Sequence, residues 1–194
     1  MTEREVLFTG VGGQGVQIAS KALAMAALAE GRQVMLLPRY GGGMRGGMTN
    51  AGLTVGDGEL RALPVITSAW SAFVMDQAYW ETVRPNLAEG AIVAVNSSLF
   101  QVPVGVAQAQ VFRVPASEMA AEMGSPMSAG FIMLGAFAAV TGLVRVESAL
   151  GAMRELVPAY RAQHVAANER AIEAGAGAVP ALAVPAWPGL AGVR

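Results

Sequence analysis

Two glycine-rich stretches hold the residue types that could do chemistry. Gly10-Val11-Gly12-Gly13-Gln14-Gly15 fits G-x-G-x-x-G, with an apolar run from Glu5 to Gly10 before it and an alanine-rich pattern after it. Glycines there permit a tight strand-to-helix turn, let backbone N–H groups approach a phosphate, and place the positive end of a helix beside it. The chemistry is anion binding, with Gly12, Gly13, Gln14 and Gly15 as the candidates. The second stretch runs Arg39-Tyr40-Gly41-Gly42-Gly43-Met44-Arg45-Gly46-Gly47-Met48-Thr49. Arg39 and Arg45 are planar cations able to grip a carboxylate or phosphate, and Gly46 and Gly47 leave room for one to come close. Two blander readings stay open beside these. The first turn can serve packing alone, and Arg45 can tie its loop to a backbone carbonyl or to an acid on a partner chain.

Other chemistries find less support. A nicotinamide or flavin site expects a carboxylate at the end of the second strand, where the sequence reads Leu36-Leu37-Pro38-Arg39. Arg39 suits a ribose phosphate instead, which keeps NADP or coenzyme A in play. A stand-alone NADP-binding reductase with a Rossmann-like site is therefore the alternative reading. Its proton donor would come from Tyr40, Tyr79, Tyr160 or His164, which show no recognisable arrangement. The chain has no cysteine, so it ligates no cluster through thiolates, and its one histidine has no second to complete a metal site. The expected catalytic and metal residues of this chain are thus none. Gly56-Asp57-Gly58 with Asn86 resembles a thiamine diphosphate motif in spacing but reads as a hairpin tip. The net charge is −1 and the 13 basic residues are scattered, unlike a nucleic-acid binder. Met127 to Val144 carries no charge, yet Gly130, Gly135 and Gly142 mark it as a tightly packed helix rather than a membrane span. The N-terminus does not look like a signal peptide, which implies the cytoplasm.

These residues need elements to hold them. At 194 residues and 54% hydrophobic, the chain suits one α/β domain with apolar surface to spare for a partner. Expected are a strand over Glu5 to Gly10, a helix to Ala29, a strand over Gln33 to Leu37, and a loop from Pro38 to Gly47. A hairpin at Gly56-Asp57-Gly58 should join Met48–Val55 to a strand starting at Glu59. Ala72–Met75, Ala91–Val95 and Gln110–Val114 read as further strands, and Gln77–Leu87 as a helix. Pro115 and Pro126 open helices. The fold class is α/β: a Rossmann-like open sheet, mostly parallel with a hairpin, helices on both faces, and a helical C-terminal part. Residues 1–176 form the domain. Residues 177–194 are an extended apolar tail whose Trp187 suggests packing on a partner subunit.

The glycine turn, the Tyr-Gly-x-x-x-Arg-Gly-Gly loop, Val74-Met75-Asp76-Gln77, Gly90-Ala91-Ile92-Val93, Val114-Pro115-Ala116, Met133-Leu134-Gly135-Ala136 and Asn168 together resemble the gamma subunit of 2-oxoacid:ferredoxin (acceptor) oxidoreductases. In pattern they are closest to the 2-oxoglutarate branch, with the indolepyruvate and arylglyoxylate branches sharing much. The resemblance spans nearly the whole chain to about Ala174. The chain departs from the pattern at Ser128-Ala129-Gly130, where many relatives have asparagine, and at Gly42-Gly43-Met44. Such a resemblance implies a scaffold subunit near coenzyme A in a hetero-oligomeric complex that oxidatively decarboxylates a 2-oxoacid to an acyl-CoA. Alpha and beta subunits would carry thiamine diphosphate and Mg, ferredoxin-like subunits the [4Fe-4S] clusters, and ferredoxin or another acceptor would take the electrons. It makes Gly12–Gly15, Arg39, Arg45, Gly46 and Gly47 contacts to coenzyme A phosphate or to a neighbouring subunit.

Overall fold

The computed structural model describes residues 2–41, 46–60 and 65–187. Six strands form one mixed sheet: β1 (Glu3–Val11), β2 (Gln33–Tyr40), β3 (Met48–Gly56), β4 (Ala69–Val74), β5 (Leu87–Asn96) and β6 (Gln110–Val114). Their order is β2-β3-β1-β4-β5-β6. β1, β4, β5 and β6 run parallel, while β3 is antiparallel to both β1 and β2. The helices are α1 (Val16–Ala29), the short α2 (Trp80–Val83), α3 (Ala116–Glu122), α4 (Ala129–Thr141), α5 (Val146–Leu156) and α6 (Val165–Gly177).

The hairpin lies elsewhere than the sequence suggested. β2 and β3 pair directly, Tyr40 opposite Thr49, so the glycine-rich segment after β2 is the hairpin connection. Glu59 and Leu60 lie in no strand, and residues 61–64 of the expected second strand lie outside the described residues. Asp57 instead accepts the Thr2 backbone N–H at 2.7 Å, pinning the far end of β3 to the start of β1. Asp-Gly is a tight-turn signal, but it cannot name the partner strand. Pairing with β3 also extends β2 as far as Tyr40, which takes Arg39 out of the loop and into the sheet. The expected helix over Gln77–Leu87 is three short pieces: a 3-10 turn, α2 and a second 3-10 turn containing Pro85. Proline removes the N–H that a continuous helix would need.

One face of the sheet packs on α1 and α4. Phe8 and Phe73 stack with centroids 5.0 Å apart, and Phe73 meets Phe137 of α4 at 6.1 Å. The opposite face is covered more lightly by α2 and the loop after β5, where Trp80 meets Phe100 edge-on at 5.5 Å. Trp80 also donates its indole N–H to the Val104 carbonyl. All 13 residues of α4 are buried, which explains the charge-free stretch, since a helix apolar all round must be enclosed. Among the described residues no helix is long and apolar enough to cross a membrane. α4 touches α6 backbone to backbone: a Cβ at Gly135 would fall on the Ile172 carbonyl, and one at Gly175 on the Ile132 carbonyl.

Enclosure leaves the C-terminal carbonyls of α4 without water. The segment after α6 supplies donors. Leu182, Val184 and Ala186 give their backbone N–H groups to the carbonyls of Ala139, Val140 and Thr141 at 2.7, 3.1 and 2.6 Å. Trp187, for which the sequence suggested a partner's surface, is 5% exposed and covered by its own chain. Its Nε1–H donates to the Leu143 carbonyl and the Arg32 guanidinium lies 3.8 Å from the ring centroid. Arg4 closes the same corner through Nε–H to the Ala186 carbonyl, and burial lowers its pKa from the usual arginine value.

Two substitutions probe this packing. Gly135→Ala should destabilise by about 1–3 kcal/mol or more through overpacking at the helix contact, read as a lowered urea midpoint. Trp187→Ala should cost about 3–5 kcal/mol by opening a cavity, read in the same way; an unchanged midpoint would mean the segment does not close the fold.

Candidate functional site

The first glycine turn forms as its residue types require. Gly13 and Gly15 have φ of +104° and +83°, which glycine adopts without strain. A Cβ at Gly10 would lie within 2.9 Å of Gln14, Val16 and Met75. The strand can enter the turn only without a side chain there.

Gln14 is spent on the turn itself. Its Oε1 accepts the Val11 N–H at 2.8 Å, and its Nε2 donates to Asp76 Oδ2 at 2.8 Å. Asp76 Oδ1 accepts the Ala78 N–H and so caps the 3-10 turn after β4. One amide therefore fastens the β1–α1 turn to the β4 end of the sheet. Nearby, Asn96 at the end of β5 donates to the Met75 carbonyl and to Ser117 Oγ, and accepts the Ser117 N–H. The C-terminal ends of β1, β4 and β5 are laced together by carboxamides and one carboxylate.

The two glycine stretches meet. Gly12 donates its N–H to the Gly47 carbonyl at 2.9 Å, continuing the pairing of Val11 with Met48. Among the described residues, no atom lies within 4 Å of a Cβ position at Gly13 or Gly46. Arg45 lies outside the described residues. Arg39 is exposed on β2 opposite Asn50 and lines a separate small cavity of about 50 Å³ with Leu37, Asn50 and Thr82. The buried Asn50 Oδ1 there has no hydrogen-bond partner. β3 stands between β1 and β2, so the end of β2 is two strand spacings, about 10 Å, from the glycine turn. An arginine placed there does not sit where a dinucleotide's ribose phosphate would meet that turn, which weakens the NADP alternative.

Gly13 and Gly15 open instead onto a cleft of about 250 Å³ whose other walls come from α4, α6 and the 3-10 turn Ala159–His164. Gly15 sits against Gly130 at the start of α4, its Cβ position 3.5 Å from the Gly130 Cα. Ser128, Arg161, His164 and Asn168 reach the same cleft. Among the described residues no group of three acidic or histidine side chains could hold a metal.

The description "Pyruvate ferredoxin/flavodoxin oxidoreductase" fits residues 5–178 of the sequence. The chain belongs to this family. A relative in Thermococcus kodakarensis, the common gamma subunit of its pyruvate/ketoisovalerate oxidoreductases, is 34% identical over 158 residues, covering 78% of this chain and 85% of the relative. The ketoisovalerate oxidoreductase subunit VorA of Methanothermobacter thermautotrophicus is 30% identical over 177 residues; the match covers 90% of this chain but 36% of that relative's length. The crystal structure of the keto/oxoacid ferredoxin oxidoreductase gamma subunit of Geobacter sulfurreducens matches with a TM-score of 0.78 at 27% identity, over 92% of this chain and 97% of that one. Within its family, this oxidoreductase chain is thus of the gamma type, and its mixed six-stranded sheet is that of a gamma subunit.

For this gamma-type chain, sequence reasoning located the turn but missed its supports. Asp76 and Asn168 stood out only as parts of a pattern, Ser128 as a departure from it, and His164 as a lone histidine and one of four proton-donor candidates without an arrangement. Gln14→Leu should cost about 1–3 kcal/mol by leaving the Val11 N–H and Asp76 Oδ2 unpaired, with faster hydrogen exchange at the Val11 amide. Unchanged exchange would show that the amide does not hold the turn.

Proposed function

We propose that this chain is the non-catalytic, coenzyme-proximal scaffold subunit of a thiamine diphosphate-dependent 2-oxoacid:acceptor oxidoreductase of the cytoplasm. The complex decarboxylates a 2-oxoacid, passes electrons to ferredoxin or a similar acceptor, and releases an acyl-CoA. 2-Oxoglutarate, arylglyoxylate and related acids are the substrate class. Thiamine diphosphate and Mg belong to alpha and beta subunits and the [4Fe-4S] clusters to a ferredoxin-like one. With no cysteine and no acid or histidine cluster among the described residues, this chain's share of the work is binding and positioning.

The observation that carries the reading is the Gly12–Gly47 backbone bond. It joins both glycine stretches at the C-terminal end of β1, the edge where open α/β sheets receive ligands. Among the described residues nothing stands within 4 Å of a Cβ at Gly13 or Gly46 on that edge, and the first turn of α1 has no side-chain cap. Backbone donors without side chains suit a phosphate of coenzyme A or the surface of a neighbouring subunit. Gly12, Gly13, Gly15, Gly46 and Gly47 supply the approach and Gln14 holds its shape. Arg45 supplies charge, and Arg39, two strand spacings from the turn and without an acid partner among the described residues, serves a more distant phosphate or a neighbouring subunit.

Purification from the native host should yield a larger assembly carrying thiamine diphosphate and clusters; a free monomer with no such partner overturns the proposal. In that assembly, Arg39→Ala and Arg45→Ala should each raise the KM for coenzyme A about tenfold, the loss of roughly one charge-assisted contact, or weaken assembly. Unchanged kinetics and assembly would remove the arginines from the site.

A further inference from the structure

We infer that the cleft between α1, α4 and α6 is a binding site for a small organic oxyanion, a carboxylate- or phosphate-headed molecule with a short apolar body. The inference stands apart from the coenzyme reading and shares only Gly13 and Gly15 with it.

Asn168 is the deciding side chain. It is 8% exposed and lines the cleft. Its Oδ1 accepts the Ser128 hydroxyl at 3.1 Å, while its amide N–H groups meet no acceptor among the described residues. With Oδ1 held by Ser128, the Asn168 amide is left to the cleft that the residue lines. Ser128 in turn shares a 2.7 Å hydrogen bond with Ser125, so the two hydroxyls and the amide form one chain with its donor end free.

The rest of the wall has the same polarity. Gly15 caps α1 in the left-handed conformation and offers no side chain to its first turn. Ser128 precedes α4 but makes no capping bond, because its hydroxyl is committed to Asn168 and Ser125. The N-termini of a 14-residue and a 13-residue helix thus converge beside one cavity, each adding partial positive charge. Arg161 and His164 line it from the 3-10 turn, and no Asp or Glu does. The Arg161 guanidinium lies 5.6 Å from the Tyr160 ring, and neither Arg161 nor His164 has an acid partner among the described residues. Arg154, by contrast, is neutralised by Glu169 outside the cleft.

The lining also includes the apolar side chains Ile18, Phe131 and Val157, and Met127, which is 78% exposed. Donors and hydrocarbon lining one cleft call for an amphipathic anion. The volume of about 250 Å³ is just below the usual range for small-molecule pockets, about 300–1,000 Å³, so a compact molecule fits rather than a dinucleotide.

The test is a calorimetric titration of the 194-residue chain with butyrate, with inorganic phosphate, and with butanamide as a neutral isostere. At least one of the two anions should saturate a single site while butanamide does not. Tighter butyrate assigns a carboxylate head and tighter phosphate a phosphate head. The double variant Arg161→Ala/His164→Ala changes exposed residues and should remain folded; it should weaken the anion at least tenfold, as should Asn168→Leu. Arg170→Ala, an exposed charge change on the same helix but outside the cleft, should leave binding unchanged. No saturable binding of either anion, full affinity in the Arg161/His164 variant, or an equal loss in Arg170→Ala would overturn the inference.

Discussion

The antiparallel insertion of β3 between β1 and β2 is the constraint on which the site depends. Nine residues of β3 pair with β1 and eight with β2, so this one strand fixes where both glycine stretches go. It carries the start of the second stretch's return to the end of β1, where Gly12 and Gly47 bond. It also moves the end of β2, with Arg39, away from the turn. A parallel sheet with β2 beside β1 would have produced a dinucleotide crevice from nearly the same local sequence. The inserted strand produces a glycine-lined edge instead.

The second organising element is α4, enclosed on every side. Enclosure has two costs, and the chain meets both locally. Close approach of α6 requires Gly135 and Gly175 to present bare backbone to each other. The buried C-terminal carbonyls require donors, which the segment after α6 provides. The opposite end of α4 does the reverse, leaving its first turn uncapped beside the equally uncapped α1. One helix thereby separates a sealed end that closes the fold from an open end that faces a cleft.

Around the glycine turn, polar side chains are used mainly to hold backbone. Gln14, Asp76 and Asn96 each bond to main chain or to one another at the strand ends. A scaffold that must keep flexible glycines in place for a neighbour or a ligand needs this kind of support, because glycine loses more freedom on ordering than any other residue. That fits a gamma-type chain of this family.

Much of this was legible in the amino-acid order. The strand-turn-helix at Gly10–Gly15, strand β6, the proline-opened helices and the family resemblance all rest on local spacing and residue type, which short-range sterics translate directly into structure. The charge-free stretch likewise announced a buried helix. Which strand would accept which partner was not legible: Gly56-Asp57-Gly58 signals a turn as well as Gly41–Gly47 does, and only long-range pairing decides between them. The same holds for Trp187, apolar enough for a partner's surface until Leu143 and Arg32 of its own chain supply a nearer one. It holds also for Ser128, Arg161, His164 and Asn168, whose meeting across three elements has no sequence period. Local chemistry determined the turns, the helices and the family; the tertiary structure alone determined which of them share a cavity, because that depends on contacts between residues far apart in the chain.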